Sequence, residues 1–252
     1  MAGRALPRER IRAVFFDVQG TLIDREASWR KAFAEALGEF AARWEGDGFS
    51  PEKAADRFAE VLRAGRGRAR GHGAKARPSR RLRLAAMKAA LAGSPFDVTP
   101  SFLDNLYRRT KALVPACPAA APGARDVLAR LARRYRLGII SNSGRDRIMR
   151  MLAEAGLDGF FGEKAVFVPA GRGRGKPGGR IFRGALAAFR VQPGQAVMVG
   201  DSWRNDVLGA RRCGMHAVHV SRGGTAKARR LKRRPAVVRV SGLRQLLGLL
   251  EG

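Results

Sequence analysis

The sequence predicts an α/β protein, a doubly wound parallel sheet carrying an all-helical insertion after its first strand. Three observations predict it. Short apolar runs without polar alternation recur along the chain, helical patterns alternate with them from 122 to 220, and residues 24 to 118 hold helical patterns alone. Unbroken apolarity suits strands buried on both faces, as parallel strands are. Alternation of such strands with helices is the mark of a doubly wound sheet.

The first strand is IRAVFF, residues 11–16. Four helical stretches follow without a convincing strand between them: SWRKAFAEALGEFAARW, PEKAADRFAEVLRA, SRRLRLAAMKAALAG and TPSFLDNLYRRTKALV. The alternating rhythm then begins with PGARDVLARLARRYR, where Val127, Leu128, Leu131 and Tyr135 recur at helical spacing before the strand LGII, residues 137–140. DRIMRMLAEAGL follows, with Ile148, Met151 and Leu152 on one stripe and Gly156 as a stop. The strand AVFV (165–168), the helix GRIFRGALAAFR, the strand AVMV (196–199), the helix NDVLGARRCG and the strand HAVHV (216–220) come next. AVVRV and GLRQLLGLL predict a closing strand and an amphipathic helix. The expected division is therefore a Rossmann-like core from residues 1–23 and 119–252, and a helical domain from 24–118.

Composition excludes several classes. No apolar segment approaches the roughly 20 residues that span a bilayer, and MAGRALPRER lacks the apolar stretch of a secretory signal, so the expected location is cytoplasmic. Two cysteines, Cys117 and Cys213, make neither a disulfide framework nor a zinc pattern and are expected as reduced, buried thiols. The net charge of +29 would suit a nucleic-acid binder. The arginines are spread along the chain, however, and the two local clusters, 64–83 and 222–234, are Gly-rich or polar with few aromatics for bases to stack on. They predict solvated loops able to attract anions, and nucleic acid is not the expected partner. GRGRGKP is not a nucleotide-triphosphate loop, because Ala170 replaces the first glycine and Pro177 the Ser or Thr. His216 and His219 lie in an apolar strand and are expected as core or edge residues, and His72 as solvated.

Ligands of an open parallel sheet bind beyond the carboxyl ends of its strands. The residues standing there are Asp17, then Ser141 and Asn142, then Lys176 in a Gly-rich loop, then Asp201 and Asp206 in GDSWRND. In this order, FFDVQGTL, IISNS, GKPGGRIF and VGDSWRNDVLGARRCGM resemble the four motifs of the haloacid dehalogenase superfamily, most of whose members are Mg²⁺-dependent phosphohydrolases. The likeness covers roughly 150 residues of core, and it implies that the helical insertion is a mobile cap.

The resemblance implies a small phosphorylated substrate and an in-line attack by Asp17 that forms an aspartyl-phosphate. It implies Mg²⁺ on the carboxylates of Asp17 and Asp201 and the backbone carbonyl of Gln19, with Asp206 orienting Lys176 or metal-bound water. Ser141, Asn142 and Lys176 would hold the transferring oxygens. One position departs from the pattern: Gln19 stands where the family's phosphatases carry an acid-base Asp, and an amide cannot transfer a proton at neutral pH. Dehalogenases need no such proton, which makes a 2-haloacid dehalogenase the rival reading; the retained acids of VGDSWRND weigh against it. A third possibility is a weakly catalytic member that binds a ligand or partner.

Overall fold

The computed structural model describes residues 6–42, 48–68, 78–171, 173–221, 229–231 and 235–251. The chain divides into two compact units, Met1–Asp24 with Ala120–Gly252, and Arg25–Ala119.

The first unit is built on one seven-stranded sheet in the order β3-β2-β1-β4-β5-β7-β6. Its strands are β1 (Ala13–Phe16), β2 (Arg136–Ile140), β3 (Val166–Phe167), β4 (Ala196–Gly200), β5 (His216–Val220), β6 (Arg229–Leu231) and β7 (Val237–Val240). All neighbours pair in parallel except β6, which runs antiparallel to β7. β1 is buried at every residue. Its pleat divides them: Val14 and Phe16 join one apolar cluster with Ile139, Val197, Val199 and Val218, while Ala13 and Phe15 join another with Ile140, Ala196 and Met198.

Each cluster is closed by its own helices. Val127, Leu128 and Leu131 of α5 (Ala124–Ala132), Ile148 and Leu152 of α6 (Arg145–Glu154) and Leu246 and Leu250 of α9 (Gln245–Leu250) cover the first face. Ile181, Phe182 and Ala185 of α7 (Gly179–Ala188) and Ala210 of α8 (Gly209–Arg212) cover the second. Helices on both faces make the sheet doubly wound, and burying one such Val, Leu or Phe contributes about 1.5–3 kcal/mol. Strand order reverses between β1 and β4, so their carboxyl ends flank the switch point where a ligand crevice forms.

The second unit consists of α1 (Arg25–Ala41), α2 (Pro51–Arg68), α3 (Arg80–Ala90) and α4 (Pro100–Leu113). They enclose a separate core of Phe33, Leu37, Phe58, Met87 and Leu106, with the Phe33 and Phe58 rings 4.7 Å apart. Ser79 and Thr99 accept hydrogen bonds from the N–H groups of Leu82 and Phe102 and so cap α3 and α4. Such a cap is worth about 1 kcal/mol.

Four sequence expectations change. Residues 222–234, predicted as a solvated loop, contain β6; 222–228 and 232–234 lie outside the described residues. The run AVFV shrinks to the two residues of β3, because only Ile139 and Ile140 of β2 pair with it. Cys213 is only half-buried, whereas Cys117 is buried as expected. In the basic stretch 64–83, α2 extends to Arg68 and α3 starts at Arg80, while 69–77, His72 included, lie outside the described residues.

Candidate active site

Asp17 leaves β1 with its N–H on the Val199 carbonyl at 2.9 Å, one more rung of the β1–β4 ladder. A tight double turn follows, in which the N–H groups of Thr21 and Ile23 both return to the Val18 carbonyl. Gly20 takes φ +91° inside it, a conformation that costs a side chain dearly. This turn carries Gln19, whose Nε2 lies 3.8 Å from Met151 Sδ.

Lys176 is the centre of the arrangement. Only 6% exposed, it donates from Nζ to Asp17 Oδ1 at 2.7 Å and to Asp206 Oδ1 at 2.6 Å. Asp206 also accepts the Ser202 N–H on Oδ2 at 2.9 Å, so both its oxygens are engaged. It projects from a π-helical turn, Trp203–Leu208, that Ser202 caps through the Asn205 N–H. Asp17 differs: its Oδ2 has no hydrogen-bond partner among the described residues. Asp201 is half-buried at the end of β4, and its backbone carbonyl accepts Nε2–H of His219 at 3.1 Å.

Two carboxylates share one ammonium in a buried space, and the electrostatics follow. Burial pushes the Asp206 carboxyl up to about 7, ahead of the Lys176 charge that pulls it down, and Asp17 adds to the rise. For Lys176, burial works toward the neutral form, but Asp17 and Asp206 outweigh it and hold the ammonium above its ordinary value. One carboxylate oxygen each from Asp17, Asp201 and Asp206 can be chosen so that all three lie within 4.8 Å of one another. An all-oxygen donor set with surplus negative charge fits a hard divalent cation such as Mg²⁺.

Ser141 directly follows β2 at 2% exposure, its N–H on the Phe167 carbonyl and its Oγ accepting from the Ser143 N–H at 3.3 Å. Asn142, expected among the phosphate ligands, has its side-chain amide on the main chain of Lys176. Sequence reasoning passed over Gly200 and Ser202, which build the Asp206 pocket. A Cβ on Gly200 would stand 2.3 Å from the Asp206 carboxyl carbon. The signals were a glycine just before the acid and a serine at a helix-capping position.

Residues 11–214 match the family of haloacid dehalogenase-like hydrolases. Glyceraldehyde 3-phosphate phosphatase of Pyrococcus furiosus is 36% identical over 131 residues, 52% of this chain and 54% of that protein. Phosphoserine phosphatase of Thermus thermophilus is 43% identical over 103 residues, 40% of this chain and 41% of that protein. The chain thus spans about half, or less, of the length of these curated relatives. Among solved structures, a magnesium-bound HAD hydrolase of Bacillus subtilis, YfnB, has TM-score 0.53 at 20% identity, over 96% of this chain and 100% of that one. L-2-haloacid dehalogenase of Xanthobacter autotrophicus has TM-score 0.54 at 23% identity, over 96% and 99%. Likeness at these identities speaks for the fold.

Proposed function

This chain belongs to the haloacid dehalogenase-like hydrolase family, and on that premise we propose that it is a Mg²⁺-dependent phosphatase acting on a small phosphorylated substrate. One observation carries the reading: the Lys176 ammonium holds Asp17 by one oxygen and leaves Oδ2 at the switch point of the sheet, with Asp201 close by. The named phosphatases among the relatives support it.

Asp17 Oδ2 attacks phosphorus in line, the bond from phosphorus to the leaving oxygen breaks, and an aspartyl-phosphate forms that water then cleaves. Lys176 and Ser141 bind the phosphoryl oxygens, and Lys176 offsets the charge that gathers on them. Asp206 keeps the ammonium aimed, both its oxygens being committed to that task and to the Ser202 N–H. Mg²⁺ held by Asp17, Asp201 and the Gln19 carbonyl would lessen the repulsion between the Asp17 carboxylate and a phosphate dianion. The helical insertion is assigned as the cap that selects the substrate.

Gln19 sets the limits of this chemistry. Its amide hydrogen-bonds a departing oxygen and cannot protonate it, so the leaving group departs as an anion. Rates should fall steeply as the pKa of the leaving alcohol rises, with aryl and acyl phosphates preferred over alkyl phosphates. General acid-base help is worth about 10²- to 10⁴-fold, so Gln19→Asp should raise alkyl phosphate turnover by about 10²-fold or more. The test is kcat/KM across leaving groups of graded pKa, with and without Mg²⁺, beside halide release from 2-haloacids. A flat dependence with no gain in Gln19→Asp would remove this role from Gln19. Halide release without phosphate release would replace phosphatase by dehalogenase, and silence in both assays would leave a binding protein.

A further inference from the structure

We propose that Asn142 is a positioning residue for Lys176, gripping the lysine's own main chain so that its ammonium stays between Asp17 and Asp206; the proposal rests on the phosphatase reading for its consequence in catalysis. Asn142 Oδ1 accepts the Lys176 N–H at 2.6 Å, and Nδ2 donates to the Lys176 carbonyl at 2.9 Å. One side chain thus takes the donor and the acceptor on either side of a single Cα. The two bonds also fix the amide's orientation, because turning it over would set oxygen against carbonyl oxygen and N–H against N–H.

The lysine loop is shaped to admit this grip. Gly175 precedes Lys176, and a Cβ there would stand 2.5 Å from Asn142 Oδ1 and 3.0 Å from Pro169 Cγ. Lys176 sits in a loop between β3 and α7, where no sheet ladder holds its peptide, and the loop is rich in glycine. Asn142 is anchored differently, directly after Ser141, whose N–H continues the pairing of β2 with β3. The clamp therefore ties the loop that carries the ammonium to the strand end that carries the phosphate-binding hydroxyl. Displacing a catalytic group by about 1 Å can cost on the order of 10²-fold in rate, and without the clamp the Lys176 backbone has that freedom.

Two variants and one cycle test the assignment. Asn142→Ala removes both bonds, and Asn142→Asp keeps the acceptor while facing the Lys176 carbonyl with an oxygen. With 4-nitrophenyl phosphate and Mg²⁺, Asn142→Ala should lower kcat by about 10- to 100-fold with KM within about threefold, and Asn142→Asp should not rescue it. In a Lys176→Ala background the same Asn142→Ala change should cost less than about twofold, because the group it positions is gone. A purely structural role predicts instead an equal loss in both backgrounds and a falling melting temperature, and that result would overturn the proposal. Amide hydrogen exchange reads the clamp without activity: the Lys176 N–H should be protected in the wild type and open at least about tenfold faster in Asn142→Ala, with β2 unchanged. Protection retained in the variant would also overturn it. If the wild type cleaves no phosphate, the phosphatase reading fails while the exchange measurement still decides the clamp.

Discussion

In the sheet unit the buried polar side chains include Asp17, Ser141, Lys176, Asp206 and His219; in the helical unit, among the described residues, they are Ser28 and Thr110. Among the described residues, the helical unit sets ion pairs in solvent, as between Arg30 and Asp56 at 2.6 Å or between Arg109 and Glu39. Such exposed pairs contribute at most about 1 kcal/mol each. The sheet unit does the reverse, sinking an ammonium and two carboxylates at the ends of its strands, where each charge is tolerable only because of the others. In the helical unit Ser28 Oγ accepts the Ala119 N–H at 3.1 Å, a single neutral hydrogen bond. The sheet unit depends on its buried polar groups for both stability and chemistry.

The sharpest way to break this contrast is Asp17→Asn. It removes the nucleophile while keeping the shape, so kcat/KM should fall by about 10⁴-fold or more with folding preserved. Activity and thermal melting measured side by side check it, and retained activity would move the nucleophile elsewhere. Next in size is Lys176→Met, which strands Asp17 and Asp206 without their shared cation. Breaking a buried pair in this way costs roughly 3–5 kcal/mol, measurable by urea unfolding in the presence of a chelator. A loss below about 1 kcal/mol would place the cluster in the weak class of exposed pairs. The smallest effect sharpens the other side. Thr110 is fully buried and its Oγ1 has no hydrogen-bond partner among the described residues, so Thr110→Val should be neutral or stabilising by up to about 1 kcal/mol. A clear destabilisation would mean that the helical unit relies on buried polarity after all.

The strands were legible wherever burial on both faces made an unbroken apolar run, as in AVFF of β1 and AVMV of β4. β6 was not, since Arg229–Leu231 has no apolar signature and owes its strand to pairing with β7. The π-helical turn was equally hidden: NDVLGARRCG reads as an ordinary helix, and only the structure shows the wider turn that lets Asp206 reach Lys176. Within the site, Asp17, Ser141 and Asp201 could be picked out because each directly follows a strand, and Lys176 and Asp206 because they stand a few residues beyond one. The direction in which the Asn142 amide faces could not be read. It depends on where the lysine loop passes, which is a tertiary fact with no counterpart in residue spacing.

The two margins of the sheet carry a further consequence, for how copies of this chain meet one another. An open sheet exposes unpaired N–H and C=O groups along its outermost strands, a template for joining other chains into aggregates. Here one margin is β3, only Val166–Phe167, too short for a neighbour to zip onto. At the other margin the last parallel strand, β7, is covered by β6, a reversed three-residue segment whose sequence begins with two arginines, Arg229 and Arg230. A newcomer would have to align with a brief, positively charged strand, and a second copy would bring the same charge to the encounter. The hydrophobic ladder that makes β1, β4 and β5 stable is thereby kept inside, and its tendency to propagate ends at both borders of the sheet.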